Sequence, residues 1–449
     1  EGNDFVTTAA PVRTPPVTTS RAVAVEICAD LRSGDFLDQS FERRAGKLDA
    51  RDRRWLRELI YGMLRKRARI DALLSVRVRG TLSRLDPDVL DLLRLGVYQL
   101  FYMGSVPAYA AIAQTVELVK RRQGLGASKL VNAVLRRLDR EREDLGLEIP
   151  TEPAARLALE YSHPEWLVQR WLERWSVEET EKLLSLNDAE APVIIRPYNV
   201  VREQLETSLE SGEVTVADAP LVTDSILLGG NIALTELGAF RQGQFFVQDP
   251  AATLVTKYAC IPIGAVVADL CAAPGGKAIE LSRTAKTVIA SDRIFARMDR
   301  VVANRRRLDL ENVLPLVADA KSPAIRHVDA VLLDVPCTGT GTFRRHPDAR
   351  WRLKVSDIAV MAATQRTILR TASAAVRPGG LLIYSTCSLE PEENELQIEI
   401  FLALNPNWQL VPPPVEAVPS EVLDGGFLRV LPQMRGTDGA FAARLRRIA

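Results

Sequence analysis

From about residue 250 to the C-terminus, near-continuous apolar, β-prone runs alternate with helical stretches. The runs fall at 266–270, 288–291, 313–317, 330–333 and 381–384. A strand that is apolar on both sides has to be covered on both sides, and the intervening helices supply that cover. The pattern predicts a doubly wound, Rossmann-like α/β domain over 250–449, built on a parallel sheet. In such a domain ligands bind at the carboxyl ends of the strands. Each run ends in a polar or conformationally special residue, so these ends are where chemistry is expected.

Two further regions precede it. Between 21 and 145 the apolar residues recur at three- and four-residue intervals, as in Leu56, Leu59, Ile60, Met63 and Leu64, then Val89, Leu92, Leu93, Val97 and Leu100, then Val116 and Val119. Gly80, Pro87, Gly104 and Pro107 punctuate them, and no strand alternation intervenes, which predicts an all-helical domain of five to seven helices. Between 150 and 249, helical stretches at 153–161, 164–175 and 177–186 give way to short β-prone runs at 193–196, 214–216 and 225–228, a small α+β connecting module. The first twenty residues are rich in Pro and Thr without apolar periodicity and read as a disordered tail.

Composition narrows the class of protein. Of 449 residues, 47% are hydrophobic and 26% charged, enough to bury a sizeable core in two or three domains. No apolar run approaches the ~18–20 residues that span a bilayer, and no signal-peptide pattern opens the chain, so a cytoplasmic protein is expected. The five cysteines, Cys28, Cys260, Cys271, Cys337 and Cys387, are widely spaced and form no CxxC pair. That argues against a disulfide framework or structural zinc, and three histidines leave little for another metal centre. No metal and a monomeric state are expected. Net charge is only +1, yet basic residues crowd 43–69, from Arg43, Arg44 and Lys47 to Arg67 and Arg69. Such a patch can bind phosphates, but interspersed acids equally fit a solvated helix face, and charge alone leaves both readings open.

The first β-run leads directly into Asp269-Leu-Cys-Ala-Ala-Pro-Gly-Gly-Lys277. A glycine turn here lets backbone approach a ligand and aims a helix N-terminus at it. The G-x-G-x-x-G spacing for a dinucleotide pyrophosphate is missing, which weighs against NAD or FAD. The second run ends at Asp292, where a carboxylate can accept both hydroxyls of a ribose. Asp319 follows the third, placed for an adenine amine. Singly, each acid could be a cap or turn residue; in this order at successive strand ends they favour an adenosyl ligand.

The fourth run ends in Asp334-Val-Pro-Cys337 and the fifth in Ser385-Thr-Cys387-Ser388. Buried apolar cysteines are common. A core cysteine, however, has no special reason to sit at a strand tip beside Pro, Thr and Ser. Two thiols at neighbouring tips suit covalent catalysis, in which one hard step is divided into easier ones. The attacking thiol must be ionised, and Lys277 is a candidate positive group to favour that.

The segments DLCAAPGGK (269–277), DVPCTGTGTFRRHPD (334–348) and YSTCSLEPEENE (384–395) resemble the signature motifs of the RNA cytosine-5 methyltransferases. The resemblance implies S-adenosylmethionine as methyl donor, Cys387 of the T-C-S motif as nucleophile, and Cys337 of the P-C motif as the group that assists release. It implies cofactor contacts from Cys271, Ala272, Ala273, Pro274, Gly275, Gly276 and Lys277, and from Asp292, Asp319 and Asp334. The chemistry explains the thiol. Carbon 5 of cytosine is a poor nucleophile until a thiolate adds at carbon 6 and makes the ring enamine-like. Asp334 could bond the cytosine N3 or exocyclic amine as charge shifts. Upstream, ELIYGMLRKRARID (58–71), VLDLLRLGVYQLFYM (89–103), VPAYAAIAQTVELVK (106–120) and KLVNAVLRR (129–137) resemble the helical RNA-binding domain of NusB. YSHPEWLVQRW (161–171) and GQFFVQDPAATL (243–254) fit the same group. A NusB-like domain ahead of this catalytic domain is the arrangement of the RsmB (Fmu/Sun) 16S rRNA methyltransferases, which implies 16S ribosomal RNA as the partner. The last strand departs from that group's D-G-F-F-Y-A-R-L, reading Asp438-Gly-Ala-Phe-Ala-Ala-Arg-Leu445, without loss of a catalytic position.

Alternative readings keep the chemistry with tRNA or 23S rRNA as substrate, or make the chain a ribosome-assembly protein with a relic catalytic domain. The intact pair Cys337 and Cys387, with all three cofactor acids, speaks against a relic. An NAD-type oxidoreductase fails on the glycine spacing and has no use for the thiols.

Overall fold

The computed structural model describes residues 17–230 and 232–448. The chain divides into two compact units. The first runs through Arg174 and takes in His346–Trp351 from far along the sequence. Of the tail expected over 1–20, residues 1–16 lie outside the described residues, and helix α1 already begins at Thr19. Its start is anchored because the Thr18 backbone N–H donates to Gln114 Oε1 at 3.0 Å.

The first unit is helical throughout: α1 (Thr19–Arg32), α2 (Leu37–Ala45), α3 (Ala50–Arg65), α4 (Arg67–Ser75), α5 (Pro87–Tyr102), α6 (Ala108–Arg140), α7 (Pro153–Glu160) and α8 (Glu165–Leu172). Local signals set the boundaries. Asp49 caps α3 by accepting from Asp52 N, and Asp86 with Pro87 in the first turn starts α5. Gly124, at φ +83°, kinks α6. Leu56, Leu59, Ile60 and Met63 of α3 pack with Leu92, Leu93, Val97 and Leu100 of α5 in one core, which is the helical periodicity made physical. Much of the basic stretch is spent within the unit. Arg43 pairs with Asp30 and Asp35, Arg44 with Asp30, and Arg53 with Glu42, while Arg57 lies over the Tyr61 ring. Within the inserted segment, Trp351 Nε1 donates to the Leu64 carbonyl at 2.7 Å, and the fully buried Arg350 donates to Ser162 O at 3.2 Å. Burial, then the Arg350 charge, pushes the neighbouring His163 imidazole well below its ordinary range, so it is neutral.

Among the described residues, the second unit has two sheets. The smaller is antiparallel, in the order β2-β3-β1-β4, from β1 (Val193–Pro197), β2 (Thr215–Asp218), β3 (Ile226–Gly229) and β4 (Phe245–Val247). Ile195, Ile226 and Phe245 pack with Leu205 and Leu209 of the helix Arg202–Glu210.

The larger, nine-stranded sheet comprises β5 (Val266–Asp269), β6 (Thr287–Asp292), β7 (Val313–Val317), β8 (Val328–Asp334), β9 (Val376–Thr386), β10 (Trp408–Leu410), β11 (Leu423–Asp424), β12 (Phe427–Val430) and β13 (Ala440–Arg447). The order is β11-β12-β13-β9-β8-β5-β6-β7, with β10 also on β13. β7, β6, β5, β8 and β9 are parallel, as the apolar runs predict. The other four strands pair antiparallel beyond β9. Of these the sequence marks only β13, through the family resemblance of 438–445. β13 carries Arg444 in the buried part of the strand, where the guanidinium is satisfied by the carbonyls of Ala259 at 2.9 Å and Val411 at 3.0 Å. The run at 381–384 is only the second half of β9, whose first half passes through Pro378, Gly379 and Gly380 at an irregularity in the pairing with β8. Because β5 lies between β6 and β8, the connections diverge there and open the carboxyl edge to a ligand. Among the described residues no helix is long and apolar enough to cross a membrane, and no group of His, Cys, Asp and Glu could hold a metal ion.

Candidate active site

All the predicted site residues belong to the second unit. β5 ends at Asp269, and the chain turns through Cys271 to Lys277 into the helix Gly276–Ser282. The loop is tied to the next strand by Ala272 N donating to Ser291 O at 2.8 Å. Gly275 sits at φ +106°, in the left-handed region, and a Cβ there would come within 3.4 Å of Val301, so glycine is required by conformation and suited by space. Asp269 is fully buried, and among the described residues neither carboxylate oxygen has a hydrogen-bond partner. Burial, then repulsion from Asp334, raises its acid to about 7.

Asp292 is buried at the tip of β6, where its carboxylate accepts from Ile294 N at 3.0 Å and lies 3.3 Å from Arg297 Nη1. Arg297 also donates through Nη2 to the Ala273 carbonyl at 2.8 Å, joining this strand tip to the glycine loop. Asp319 is exposed beyond β7 and accepts from the Lys321 N–H at 2.9 Å, a turn contact.

At the tip of β8, Asp334 accepts from Lys277 Nζ at 2.7 Å and from Ser385 Oγ at 3.0 Å. Burial alone would lower the Lys277 ammonium. Asp334, then Cys387 and Asp269, outweigh it, and the net shift is upward. Lys277 is therefore a cation whose field reaches Cys387. The Cys337 and Cys387 sulfurs are 3.2 Å apart. The contact with Cys387, then burial, pushes the Cys337 thiol well above its ordinary range, so within this pair Cys337 keeps the proton. The Cys271 thiol is also raised, by burial and then by Asp269, Asp334 and Asp292, and stays neutral.

The structure thus brings together Lys277 with Asp334, and Cys337 with Cys387, while Asp292 and Asp319 stand at neighbouring strand ends. Sequence reasoning gave no role to Asp269, Arg297 or Ser385. Arg297 had one legible signal, a basic residue in the first turns of the helix Phe295–Arg307, which follows a strand-end acid. The donor set fits an adenosyl ligand that carries a positive charge. Asp269 offers a buried carboxylate without a hydrogen-bond partner among the described residues.

A Rossmann-like domain with these strand-end groups defines a methyltransferase class, and comparison with known proteins gives the particular family. The family described as 16S rRNA methyltransferase RsmB/F matches residues 264–446. The NusB family matches 18–140, and the ferredoxin-like domain of RsmF/B-like methyltransferases matches 163–235. A probable ribosomal RNA small subunit methyltransferase B from Synechocystis is 33% identical over 443 residues, spanning 95% of this chain and 99% of the relative. The ribosomal RNA small subunit methyltransferase B of Vibrio cholerae is 33% identical over 89% of this chain and 93% of its own. Among solved structures, PH0851 aligns with a TM-score of 0.79 at 27% identity, covering 96% of this chain and 99% of that one. NSun6 from Pyrococcus horikoshii, solved with SFG, shares the fold over 64% of this chain and 98% of its own, at a TM-score of 0.56 and 20% identity. The chain belongs to the RsmB/F family of 16S rRNA methyltransferases, and its parts are a NusB domain, a ferredoxin-like module and a Rossmann-like methyltransferase domain.

Proposed function

We propose that this protein methylates carbon 5 of one cytosine in 16S ribosomal RNA, with S-adenosylmethionine as donor and Cys387 as covalent nucleophile. The observation that carries this reading is the pair of sulfurs 3.2 Å apart at adjacent strand tips, beside the Lys277–Asp334 pair. The RNA substrate follows from the family and its NusB domain. The loop from Cys271 to Lys277, with Asp292, Asp319 and Asp334, would hold the cofactor, which supplies a methyl group bonded to a sulfonium.

Cys387, its thiolate favoured by the Lys277 cation, adds to carbon 6, forming a C–S bond and placing electron density on carbon 5. Asp334, held by Lys277 and Ser385, would bond the cytosine edge and stabilise charge as it moves. Once carbon 5 carries the methyl group, its proton leaves to a base, the carbon–sulfur bond breaks, and the ring double bond re-forms with Cys387 as the leaving thiolate. Cys337, its sulfur 3.2 Å from that of Cys387 and within hydrogen-bond reach, would assist this resolution.

The test is a pair of substitutions. Cys387→Ala should abolish methyl transfer while leaving cofactor binding, measured by calorimetry, unchanged. Cys337→Ala should accumulate a protein–RNA adduct that survives denaturing electrophoresis. Normal turnover in Cys387→Ala would refute the nucleophile assignment.

A further inference from the structure

Glu393, in the short turn Pro391–Glu393 that follows the Cys387 loop, is fully buried. Its carboxylate collects four donors. Oε1 accepts from Thr338 Oγ1 and from Ser388 Oγ, the latter at 2.6 Å. Oε2 accepts from the Thr338 backbone N–H at 2.9 Å and from Gln365 Nε2 at 2.7 Å. Thr338 directly follows Cys337, and Ser388 directly follows Cys387. One carboxylate therefore ties the residues adjoining both sulfurs.

The surrounding bonds fix the clamp itself. Gln365 Nε2 also donates to the carbonyl of Pro336, the residue before Cys337, at 3.0 Å. Tyr384 OH donates to the Glu393 carbonyl at 2.6 Å, fastening the turn to β9. Asn394 holds both sides of Cys387, accepting from Thr386 Oγ1 at 2.5 Å and donating to Ser388 O at 2.9 Å.

A carboxylate is costly to bury, and joining two loops needs no charge, since apolar contacts of similar volume do it as well. What apolar contacts lack is direction. Four hydrogen bonds of fixed geometry define where each loop sits to within a fraction of an ångström, and the sulfurs inherit that register. We propose that Glu393 is a positioning residue that sets the separation and orientation of the Cys387 and Cys337 sulfurs for adduct formation and its resolution. The proposal rests on the reading of these two thiols as nucleophile and resolving group.

Glu393→Gln keeps the size of the side chain but turns one acceptor that faces two donors into a donor. In the full-length protein, KM for S-adenosylmethionine and for RNA should stay within about twofold. The turnover number should fall about 100-fold, as misplacement of reacting groups by about an ångström does. In a Cys337→Ala background, Glu393→Gln should slow the appearance of the denaturation-resistant adduct by a similar factor. If Cys337→Ala alone gives no adduct, the thiol reading fails and this proposal with it. If the adduct forms and Glu393→Gln slows neither it nor turnover, the thiol reading stands and the clamp is refuted. A fall in turnover that only matches the fraction of protein left unfolded, measured by circular dichroism and active-site titration, would also refute it. Should Glu393→Gln not fold, Ser388→Ala removes a single arm of the clamp and is judged by the same split between KM and turnover.

Discussion

Among the acids of the site, Asp269 has the least ordinary surroundings, and these have a consequence for stability. Its carboxyl is held at about 7 when folded, against an ordinary 3.8. Across that interval the folded protein binds a proton that the unfolded chain has lost, so stability falls as pH rises through the interval and is fullest below it. The difference is on the order of a few kcal/mol. Asp269→Asn is neutral at every pH. The variant, without cofactor, should lose the decline in unfolding temperature between pH 5 and pH 8 that the unsubstituted protein shows. An identical decline in both would place the titration elsewhere. Lys277 adds nothing to this slope, because Asp334 and Cys387 outweigh its burial and keep it charged through the same range.

At the level of elements, the two cysteine loops and the start of β13 meet at a point where only glycine fits. A Cβ on Gly341 would lie 2.6 Å from the Cys387 carbonyl oxygen and 2.8 Å from Gly439 Cα, backbone that has no way to yield. Gly341 N donates to Cys387 O at 2.9 Å, and Gly439 N donates to Gly341 O at 2.8 Å, so the approach is itself hydrogen-bonded. Arg345 braces the same corner by bridging Asp249 and Asp438, each at 2.7 Å. Gly341→Ala should therefore cost about 1–3 kcal/mol of stability by overpacking and lower turnover further by displacing the Cys387 loop. Gly104→Ala, where an added Cβ meets nothing within 4 Å, serves as the control in thermal unfolding and rate assays. Equal behaviour of the two variants would contradict the tight junction.

The same scale shows what sequence makes legible. Runs such as 266–270 and 330–333 could be read because parallel strands covered on both faces have to be apolar throughout. Their tips could be read only as a set: Asp292 and Asp319 each make a local turn contact, and it is their succession at strand ends that points to a shared cleft. β4, three residues long, and β11, two residues long, are too short to show any period. β13 was legible only through the family resemblance of 438–445, because a buried arginine, explained by its carbonyl partners, breaks its apolar run. Glu393 was hidden for another reason. In the sequence it is one acid in LEPEENE, and its partners Thr338 and Gln365 are 55 and 28 residues away.

For the molecule as a whole, net charge is +1, and Arg43, Arg44 and Arg53 of the basic stretch pair with acids of the first unit. The chain forms two compact units, so its unfolding should not be treated as a single transition. The most direct test of the central claim uses the full-length protein with methyl-labelled S-adenosylmethionine and, separately, unmodified 16S rRNA, 23S rRNA and tRNA, followed by bisulfite mapping. The account predicts label in 16S rRNA alone, at carbon 5 of a single cytosine, and none with Cys387→Ala. Label confined to tRNA or 23S rRNA, label at a base other than cytosine, or undiminished transfer by Cys387→Ala would contradict it.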